Sequence, residues 1–252
     1  TGADLLPATT VVYAAVDSPA ELVDAVQNHP LVKKLQETAE YKALTEENAD
    51  YLKARAGLGI VEFVIGRDWD EAIADIAGDG IYFGIDAETE GAIALTQAPD
   101  EKALKDIRDR LIKAAKDDAE RKGKDVDFEE HEYRGHTIYK ADQAIAGIIN
   151  NWLVVTNKPE LGRTVADAIL DGGDNTLASQ EKFQVAAKTV TGEPVAWAYV
   201  DVAAVREAGL AKELYREKSD NPGAELLVGG ILATLKNANS GTAAIYLEED
   251  GI

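Results

Sequence analysis

The sequence predicts an α+β fold, in which hairpins build antiparallel sheet and long amphipathic helices pack on one face of that sheet. Short segments rich in β-branched and aromatic residues are separated by tight turns, which is typical of hairpins. Longer segments carry apolar residues at helical spacing. With 252 residues, 46% of them hydrophobic and 29% charged, the chain has the composition of a globular protein with a sizeable core.

The first predicted elements are a strand and a helix. Residues 9–16 (TTVVYAAV) are typical of a strand. Ser18 and Pro19 predict a helix start, in which Ser18 is the N-cap and Glu21 completes a capping box. The pattern then predicts a kink or a new helix start at 29–30, helices at 45–56 and 69–77, a hairpin from 81–85 and 92–96, and a long helix from 99–100 to about 121.

Hairpins and helices continue through the second part of the chain. Tight turns at 134–135 and 150–151 separate four short predicted strands. Ser179 is expected to cap a helix that ends near residue 190. The predicted elements are hairpins from 128–133 and 136–139 and from 144–149 and 153–156, a helix at 159–170, a strand at 195–200, helices at 203–217 and 224–237, and a strand at 242–247.

Two pairs of similar segments raise the question of an internal duplication. Residues 11–17 resemble residues 195–201, and residues 94–100 resemble residues 154–160. Both pairs lie where a strand is followed by a helix. Local capping preferences explain the same similarity without any duplication, so both explanations remain open.

The expected domain organisation depends on whether the duplication is real. We expect a single domain over residues 1–252, with two related units at about 1–125 and 126–252 if the duplication is real. Residues 241–252 resemble the start of the predicted hairpin at 81–96. Either the chain is a fragment of a longer one, or its last residues pair with an earlier strand.

Composition argues against several classes of protein. The chain contains no Cys, which excludes disulfides, thiolate metal ligands and thiol nucleophiles. Its 46 acidic and 26 basic side chains give a formal charge of −20, which argues against nucleic acid as a partner. No apolar run approaches the roughly 20 residues of a transmembrane helix, so we predict no transmembrane segment in this chain. No glycine-rich phosphate loop is present, so we predict no cofactor, and no serine has the GxSxG setting of a nucleophile.

Two pairs of side chains are the candidates for chemistry. Asp17 and Asp201 each follow a predicted strand just before a helix, where they either cap the helix or, if brought together, serve as acid and base. His131 and His136 flank a predicted hairpin turn and could hold zinc together with a nearby carboxylate. Capping residues and a solvated hairpin are the simpler interpretation, so we assign no catalytic, cofactor-binding or metal-binding residue.

Aromatic residues mark the predicted core. Five aromatic residues fall inside predicted strands, where aromatic side chains fit the pleated surface, and we expect them to be core or sheet-face residues: Tyr13, Tyr82, Phe83, Trp197 and Tyr199. Trp152 lies at a tight turn instead, and we expect it to be partly exposed. It is then either an interaction anchor or a packed part of the turn.

Three separated blocks resemble a large group of exported bacterial proteins of unknown function. Residues 5–13 (LLPATTVVY) resemble their Leu-Pro-Ala-x-Thr start, and residues 152–160 (WLVVTNKPE) are similar to one of their strand-to-helix joints. Residues 176–183 (TLASQEKF) resemble their Ser-Leu-Ala-x-Ser segment, with Gln180-Glu181 where the group has Asp or Ser followed by Pro. The resemblance implies an α+β repeat fold and a periplasmic, secreted or cell-envelope location. It carries over no catalytic residue.

Three functional hypotheses follow. The leading one is a non-enzymatic, extracytoplasmic structural or binding domain, whose partner is another envelope protein. The alternative is a carboxylate- or metal-dependent hydrolase, which requires the four candidates (Asp17, Asp201, His131 and His136) to converge in one pocket. The third is an acidic partner for a basic protein or basic polymer, because a charge of −20 favours such a complex at low salt.

Overall fold

The computed structural model describes residues 1–42, 68–121, 129–141, 143–207 and 238–246, together with positions 45, 46, 48, 62 and 66. The described strands are β1 (Thr10–Val16), β2 (Gly80–Asp86), β3 (Gly91–Gln97), β4 (Glu129–Tyr133), β5 (His136–Ala141), β6 (Ala144–Ile149), β7 (Trp152–Thr156), β8 (Ala196–Val200) and β9 (Gly241–Ile245). They form one antiparallel sheet in the order β4-β5-β6-β7-β3-β2-β1-β8-β9. The predicted α+β class with an antiparallel sheet is therefore confirmed.

Helices precede and follow the strands. Within the described ranges they are α1 (Pro19–Asn28), α2 (Pro30–Gln36), α3 (Ala39–Lys42), α4 (Trp69–Ala77), α5 (Glu101–Arg121), α6 (Pro159–Asp171), α7 (Glu181–Ala187) and α8 (Val202–Glu207). The bounds of α4 and α6 agree with prediction to within one residue, because both helices have a regular apolar period and a clear start. Nearly all of the helix predicted at 45–56, all of that at 224–237 and residues 208–217 lie outside the described residues.

Consecutive strands pair as antiparallel hairpins. β2 pairs with β3, β4 with β5, and β6 with β7, all in antiparallel register. Between β4 and β5, Arg134 and Gly135 have positive φ angles of 50° and 84°. Two successive positive φ angles are what a two-residue hairpin turn with the correct twist requires. Gly135 adopts this conformation without steric cost, which is why the Arg-Gly pair predicted the turn.

One face of the sheet, here called the core face, carries the main hydrophobic core. Side chains alternate between the two faces along each strand. The buried core-face side chains include Tyr13, Tyr82, Leu95 and Val154. Helices α6 and α7 cover this face, and the ring of Phe183 in α7 meets that of Tyr13 edge-on, with centroids 5.4 Å apart. Tyr13, Tyr82 and Tyr199 are thus core residues, as expected. Phe83, which points to the opposite face of the sheet, is 38% exposed.

Helix α5 packs on the opposite face of the sheet. Leu104 of α5 forms a second buried cluster with Ala98 and Ile148, and Leu153 packs against this cluster. Ile148 and Leu153 point away from the core face, because each alternates with core-face neighbours in β6 and β7. The prediction that the helices pack on one face is therefore wrong. Successive apolar positions in β6 and β7 are typical of strands buried on both faces, and this signal was available in the sequence.

Two predicted capping interactions are wrong. Ser18 lies at the predicted N-cap position of α1, but it makes no side-chain cap hydrogen bond, and its ψ of 73° lies outside the extended region that N-caps usually adopt. Ser179 lies in a 3₁₀ turn (Leu177–Ser179), and Gln180 precedes α7. The Ser179 hydroxyl donates to the carbonyl oxygen of Thr176 at 2.7 Å. Serine hydroxyls bond nearby backbone groups in turns as readily as in caps, so the residue type alone does not decide between them.

Trp152 is buried, contrary to the expectation of partial exposure. Its side chain is 8% exposed, and its ring centroid lies 5.8 Å from that of Tyr82. Trp152 opens β7 on the core face, between Ile149 of β6 and Gln97 of β3. A residue beside a tight turn is covered when the sheet continues on both sides of it, and only the strand order reveals this.

Candidate functional site

The structure places Asp17 and Asp201 at opposite ends of two neighbouring strands. β1 and β8 pair antiparallel, with Ala15 opposite Trp197. Asp17 follows β1, whereas Asp201 follows β8 and lies beside Val11 at the start of β1. About six residues of extended chain, or ~20 Å, therefore separate the two aspartates. They do not form the acid–base pair that the sequence allowed.

Asp201 caps helix α8. Its Oδ1 accepts the backbone N–H of Ala204 at 2.9 Å, which is the N-cap to N3 geometry. Its Oδ2 accepts from Nζ of Lys182 at 3.1 Å. The carboxylate is 9% exposed, so these hydrogen bonds offset the cost of burying it. The capping alternative is thus the one found at Asp201.

Asp17 is exposed and lies close to buried phenols. The pKa of Tyr82 is raised to about 12, chiefly because the ring is buried and then because the Asp17 carboxylate opposes ionisation of the phenol. Burial also raises the pKa of Tyr13, and the charge of Asp17 again contributes. Both phenols therefore stay protonated to a higher pH than an exposed tyrosine would.

His131 and His136 lie at the other end of the sheet. Five strand-to-strand steps, or ~24 Å, separate β5 from β1. The His131 ring is 3.3 Å from Oε2 of Glu129, whereas Nδ1 of His136 is 3.2 Å from the carbonyl oxygen of Ile148. Nowhere in the described ranges do three or more His, Asp or Glu side chains form a group that could hold a metal ion. The four candidates therefore do not converge.

The acidic turn that starts at Asp86 has a structural role. Asp86 is 2% exposed, and one carboxylate oxygen accepts from the hydroxyl of Thr9 at 2.5 Å. The other accepts from the backbone N–H and the hydroxyl of Thr89, at 2.8 Å and 2.6 Å. Three donors surround the buried carboxylate, so it ties the β2–β3 turn to the chain that enters β1.

A pocket of about 430 Å³ lies between α6 and strands β4 to β7 on the core face. It takes in none of the sequence candidates except His131, which lies at its rim. Apolar side chains form most of its walls: Ile138, Ile145, Ile149, Val154, Pro159 and Ala166. Ile138 and Ile145 are only half-buried, because they face this open volume. The pocket is the described cavity with the clearest capacity to hold a ligand.

Small residues allow close packing at the edges of the pocket. A Cβ atom at Gly147 of β6 would overlap the side chain of Ile138, and a Cβ at Gly162 of α6 would lie 3.0 Å from Cγ2 of Thr156. Ala166 lies one helical turn after Gly162 and also lines the pocket. The side chain of Ile138 therefore packs over Gly147, α6 approaches the sheet closely at Gly162, and the pocket lies beside these close contacts.

Charged side chains form one rim of the pocket. Oε2 of Glu129 accepts from Nζ of Lys140 at 3.1 Å and lies near His131. The Lys140 ammonium and then the imidazole lower the pKa of Glu129. Arg163 of α6 is exposed at the same rim, and no hydrogen bond or ion pair joins it to any residue that the structure describes.

A second set of contacts ties the β4–β5 hairpin to α6. Arg134, in the hairpin turn, donates to Oδ1 of Asp167 at 2.8 Å and to Asp171 at 2.6 Å and 2.9 Å. The hydroxyl of Tyr133 is 3.0 Å from both oxygens of Asp167. We call these four residues the clasp. It holds the strands of one pocket wall against the helix of the other.

Sequence reasoning missed this site. The signals that were available are weak: Gly147 inside a strand, and Gly162 and Ala166 four residues apart on one face of a helix. Glycine within a strand often marks a close approach of another element, but it does not say which one. The packing of α6 against β6 had to be known first.

The fold and the pocket define the class: an α+β protein with an antiparallel sheet and a ligand-sized space between sheet and helix. Residues 93–252 match the family described as "Protein of unknown function (DUF3352)", and the chain belongs to that family. The match includes every residue that lines the pocket. The resemblance to a family of uncharacterised proteins is confirmed. None of the curated proteins matches the chain significantly.

Solved structures of TP0453 are similar at low sequence identity. Crystal forms I, III and IV share 12%, 11% and 12% identity with the chain, with TM-scores of 0.41, 0.42 and 0.38. The alignments cover 80%, 87% and 79% of this chain. They cover 62%, 70% and 66% of the TP0453 chains, so in forms I and IV the chain spans less than two thirds of that protein.

No helix in the described ranges combines the length and the apolar character needed to cross a bilayer.

Proposed function

We propose that this protein is a non-enzymatic binding domain that holds a small, largely apolar ligand between its sheet and α6. The pocket carries the proposal, because its volume of about 430 Å³ falls within the roughly 300–1,000 Å³ typical of ligand sites. Its aliphatic walls leave Ile138 and Ile145 half-buried, so apolar surface is available for a ligand to cover. Covering it would contribute ~25 cal/mol per Å² to binding.

The hydrolase alternative lacks comparable support. It required Asp17, Asp201, His131 and His136 in one pocket, and distances of ~20 Å and ~24 Å separate these groups. Asp201 and Asp86 are held in hydrogen bonds that stabilise a helix start and a turn. A binding domain is therefore the function that the geometry of the described residues favours.

Filling the pocket tests this proposal. Nile red, a neutral dye that fluoresces in apolar surroundings, is titrated into the protein and into Ala166→Leu. Ala166 is 4% exposed and lines the pocket, and leucine and alanine have similar helix propensities, so the substitution adds volume there without lowering the helix propensity of α6. Urea unfolding of the variant shows whether the added volume also destabilises the core. We expect wild-type protein to bind the dye and Ala166→Leu to bind it at least about tenfold more weakly, a change equivalent to ~1.4 kcal/mol.

The matched control is Thr164→Leu. Thr164 lies on the exposed side of the same helix, so this variant adds an apolar side chain outside the pocket. It should bind Nile red as the wild type does. Equal binding by wild type and Ala166→Leu, or loss of binding in Thr164→Leu alone, would contradict the proposal.

We also propose an extracytoplasmic location and a single domain. The location is supported by the resemblance of residues 5–13 to the start of exported proteins and by the absence of Cys. The single domain is supported by the β3–β7 and β1–β8 ladders, which join strands of both proposed units. Recovery of the protein in the cytoplasmic fraction of producing cells would contradict the location. The duplication, and an envelope protein or basic polymer as partner, remain predictions.

A further inference from the structure

The charged side chains at the rim of the pocket determine which head group an apolar ligand can carry. On the core face it carries two cations, Lys140 and Arg163, and one carboxylate, Glu129. Glu132 also borders the pocket, but it lies between His131 and Tyr133 in β4, so its side chain points to the other face of the sheet. Without the imidazole of His131, the formal charges of these rim side chains sum to +1.

The two cations are not equivalent. Nζ of Lys140 is held by Glu129 at 3.1 Å, whereas Arg163 makes no hydrogen bond or ion pair within the part of the chain that the structure describes. A guanidinium presents a planar fork of donors that matches a carboxylate. Arg163 is therefore the group at this rim that is available to a ligand with an anionic head.

The protein's charge of −20 does not oppose such a ligand strongly. At physiological ionic strength, charges farther away than about 8 Å are largely screened. The groups at the rim therefore decide the local preference, while the apolar walls supply most of the binding free energy.

We propose, on the basis of the binding function above, that the pocket takes a single-chain amphiphile with one carboxylate head group. The alkyl chain lies against Ile138, Ile145 and Val154, and the carboxylate binds the guanidinium of Arg163. This arrangement places apolar atoms on apolar walls and keeps the ionised head at the rim, in contact with water.

The experiment is a competition against Nile red with three amphiphiles that share one alkyl chain: decanoate, decanol and decyltrimethylammonium. All are used below the concentrations at which they form micelles. Decanoate should displace the dye at about three- to tenfold lower concentration than decanol, which is the range expected for an exposed, charge-assisted contact. Decyltrimethylammonium should be the weakest competitor.

Arg163→Gln tests the assigned residue. Circular dichroism shows whether the variant folds, and the folded variant should lose the preference for decanoate over decanol. Lys105→Gln removes the same charge from α5 on the opposite face and should keep that preference. In 1 M salt, where the Debye length is only about 3 Å, the wild-type preference should shrink.

The outcomes separate the two proposals. If decanoate is no better than decanol, if the ammonium amphiphile binds best, or if Arg163→Gln keeps the preference, the head-group assignment is wrong and the binding function stands. If wild-type protein binds neither Nile red nor any of the three amphiphiles, the binding function itself is wrong.

Discussion

Both guanidinium nitrogens at the tip of Arg134 bind the carboxylate of Asp171, 37 residues away in sequence, at 2.6 Å and 2.9 Å. Arg134 lies in the β4–β5 turn and Asp171 is the last residue of α6. Asp167, one helical turn earlier, accepts a third hydrogen bond from the same side chain at 2.8 Å. The pair therefore joins the two elements that form the pocket.

The Arg134–Asp171 pair predicts a measurable shift in acid titration. Hydrogen bonding to Arg134, and then its charge, hold the pKa of Asp171 below its ordinary value of 3.8. A depressed pKa in the folded state means that the pair stabilises the fold above pH 3.8 and that this contribution is lost as the pH falls through the folded-state pKa. NMR titration of the Asp171 carboxyl carbon should give a midpoint below 3.8 in the wild type.

Arg134→Gln is the variant that tests this cause. It removes the charge and should return the midpoint of Asp171 towards 3.8. Lys105→Gln, which removes an equal charge from α5, should leave the midpoint unchanged. The same midpoint in wild type and Arg134→Gln would show that Arg134 does not hold the carboxylate in solution.

Asp201 predicts a difference between alanine and asparagine. Asp201→Ala loses the cap of α8 and should lower the free energy of unfolding by about 1–2 kcal/mol. Asp201→Asn keeps a cap oxygen and loses only the ion pair with Lys182, which is 62% exposed; exposed pairs contribute about 0–1 kcal/mol, so it should cost much less. Urea unfolding of both variants measures the difference. Equal losses would mean that the ion pair, not the cap, is the important interaction.

Buried tyrosines predict instability in alkali. Burial raises the pKa values of Tyr82 and Tyr199 to about 12, from an ordinary value of 10.0. Between these pH values the unfolded chain has released protons that the folded chain retains, so stability should fall as the pH rises above 10. The chain has nine tyrosines, of which some are exposed, so the last rise in tyrosinate absorbance should coincide with the loss of circular dichroism. Full ionisation near pH 10 with the fold intact would contradict this prediction.

Tyr82→Phe provides the matched variant. It removes one raised phenol, together with a hydrogen bond of 3.3 Å to the carbonyl oxygen of Asp79, and keeps the buried ring. Its stability should therefore depend less steeply on pH above 10 than that of the wild type. A slope that is unchanged would assign the alkaline transition to other groups.

Much of the fold could be predicted, because its signals are local. The β4–β5 turn follows from Arg134-Gly135, and α6 follows from Pro159 and a regular apolar period. Two predictions failed for different reasons. Trp152 is buried by a neighbouring strand, which a local pattern does not reveal. Ser179 takes part in a turn, although its residue type equally suggested a cap.

The candidate site could not be predicted in the same way. Its walls combine Gly147 and Ile138 with Gly162 and Ala166, and its rim combines Lys140 with Arg163. None of these residues carries a motif, and the pairs that matter come from separate elements. The strand order also separated Asp17 from Asp201, although their sequence contexts are alike.

The amino-acid sequence by itself determined the alternation of strands and helices, the hairpin turns and the membership of the α+β class. Each of these depends on residues a few positions apart, whose backbone preferences act before any distant contact forms. Tertiary structure alone decided which strands are neighbours, which faces are covered and where a pocket lies between sheet and helix. These depend on packing between segments that are far apart in the chain, and a local sequence pattern does not specify that packing.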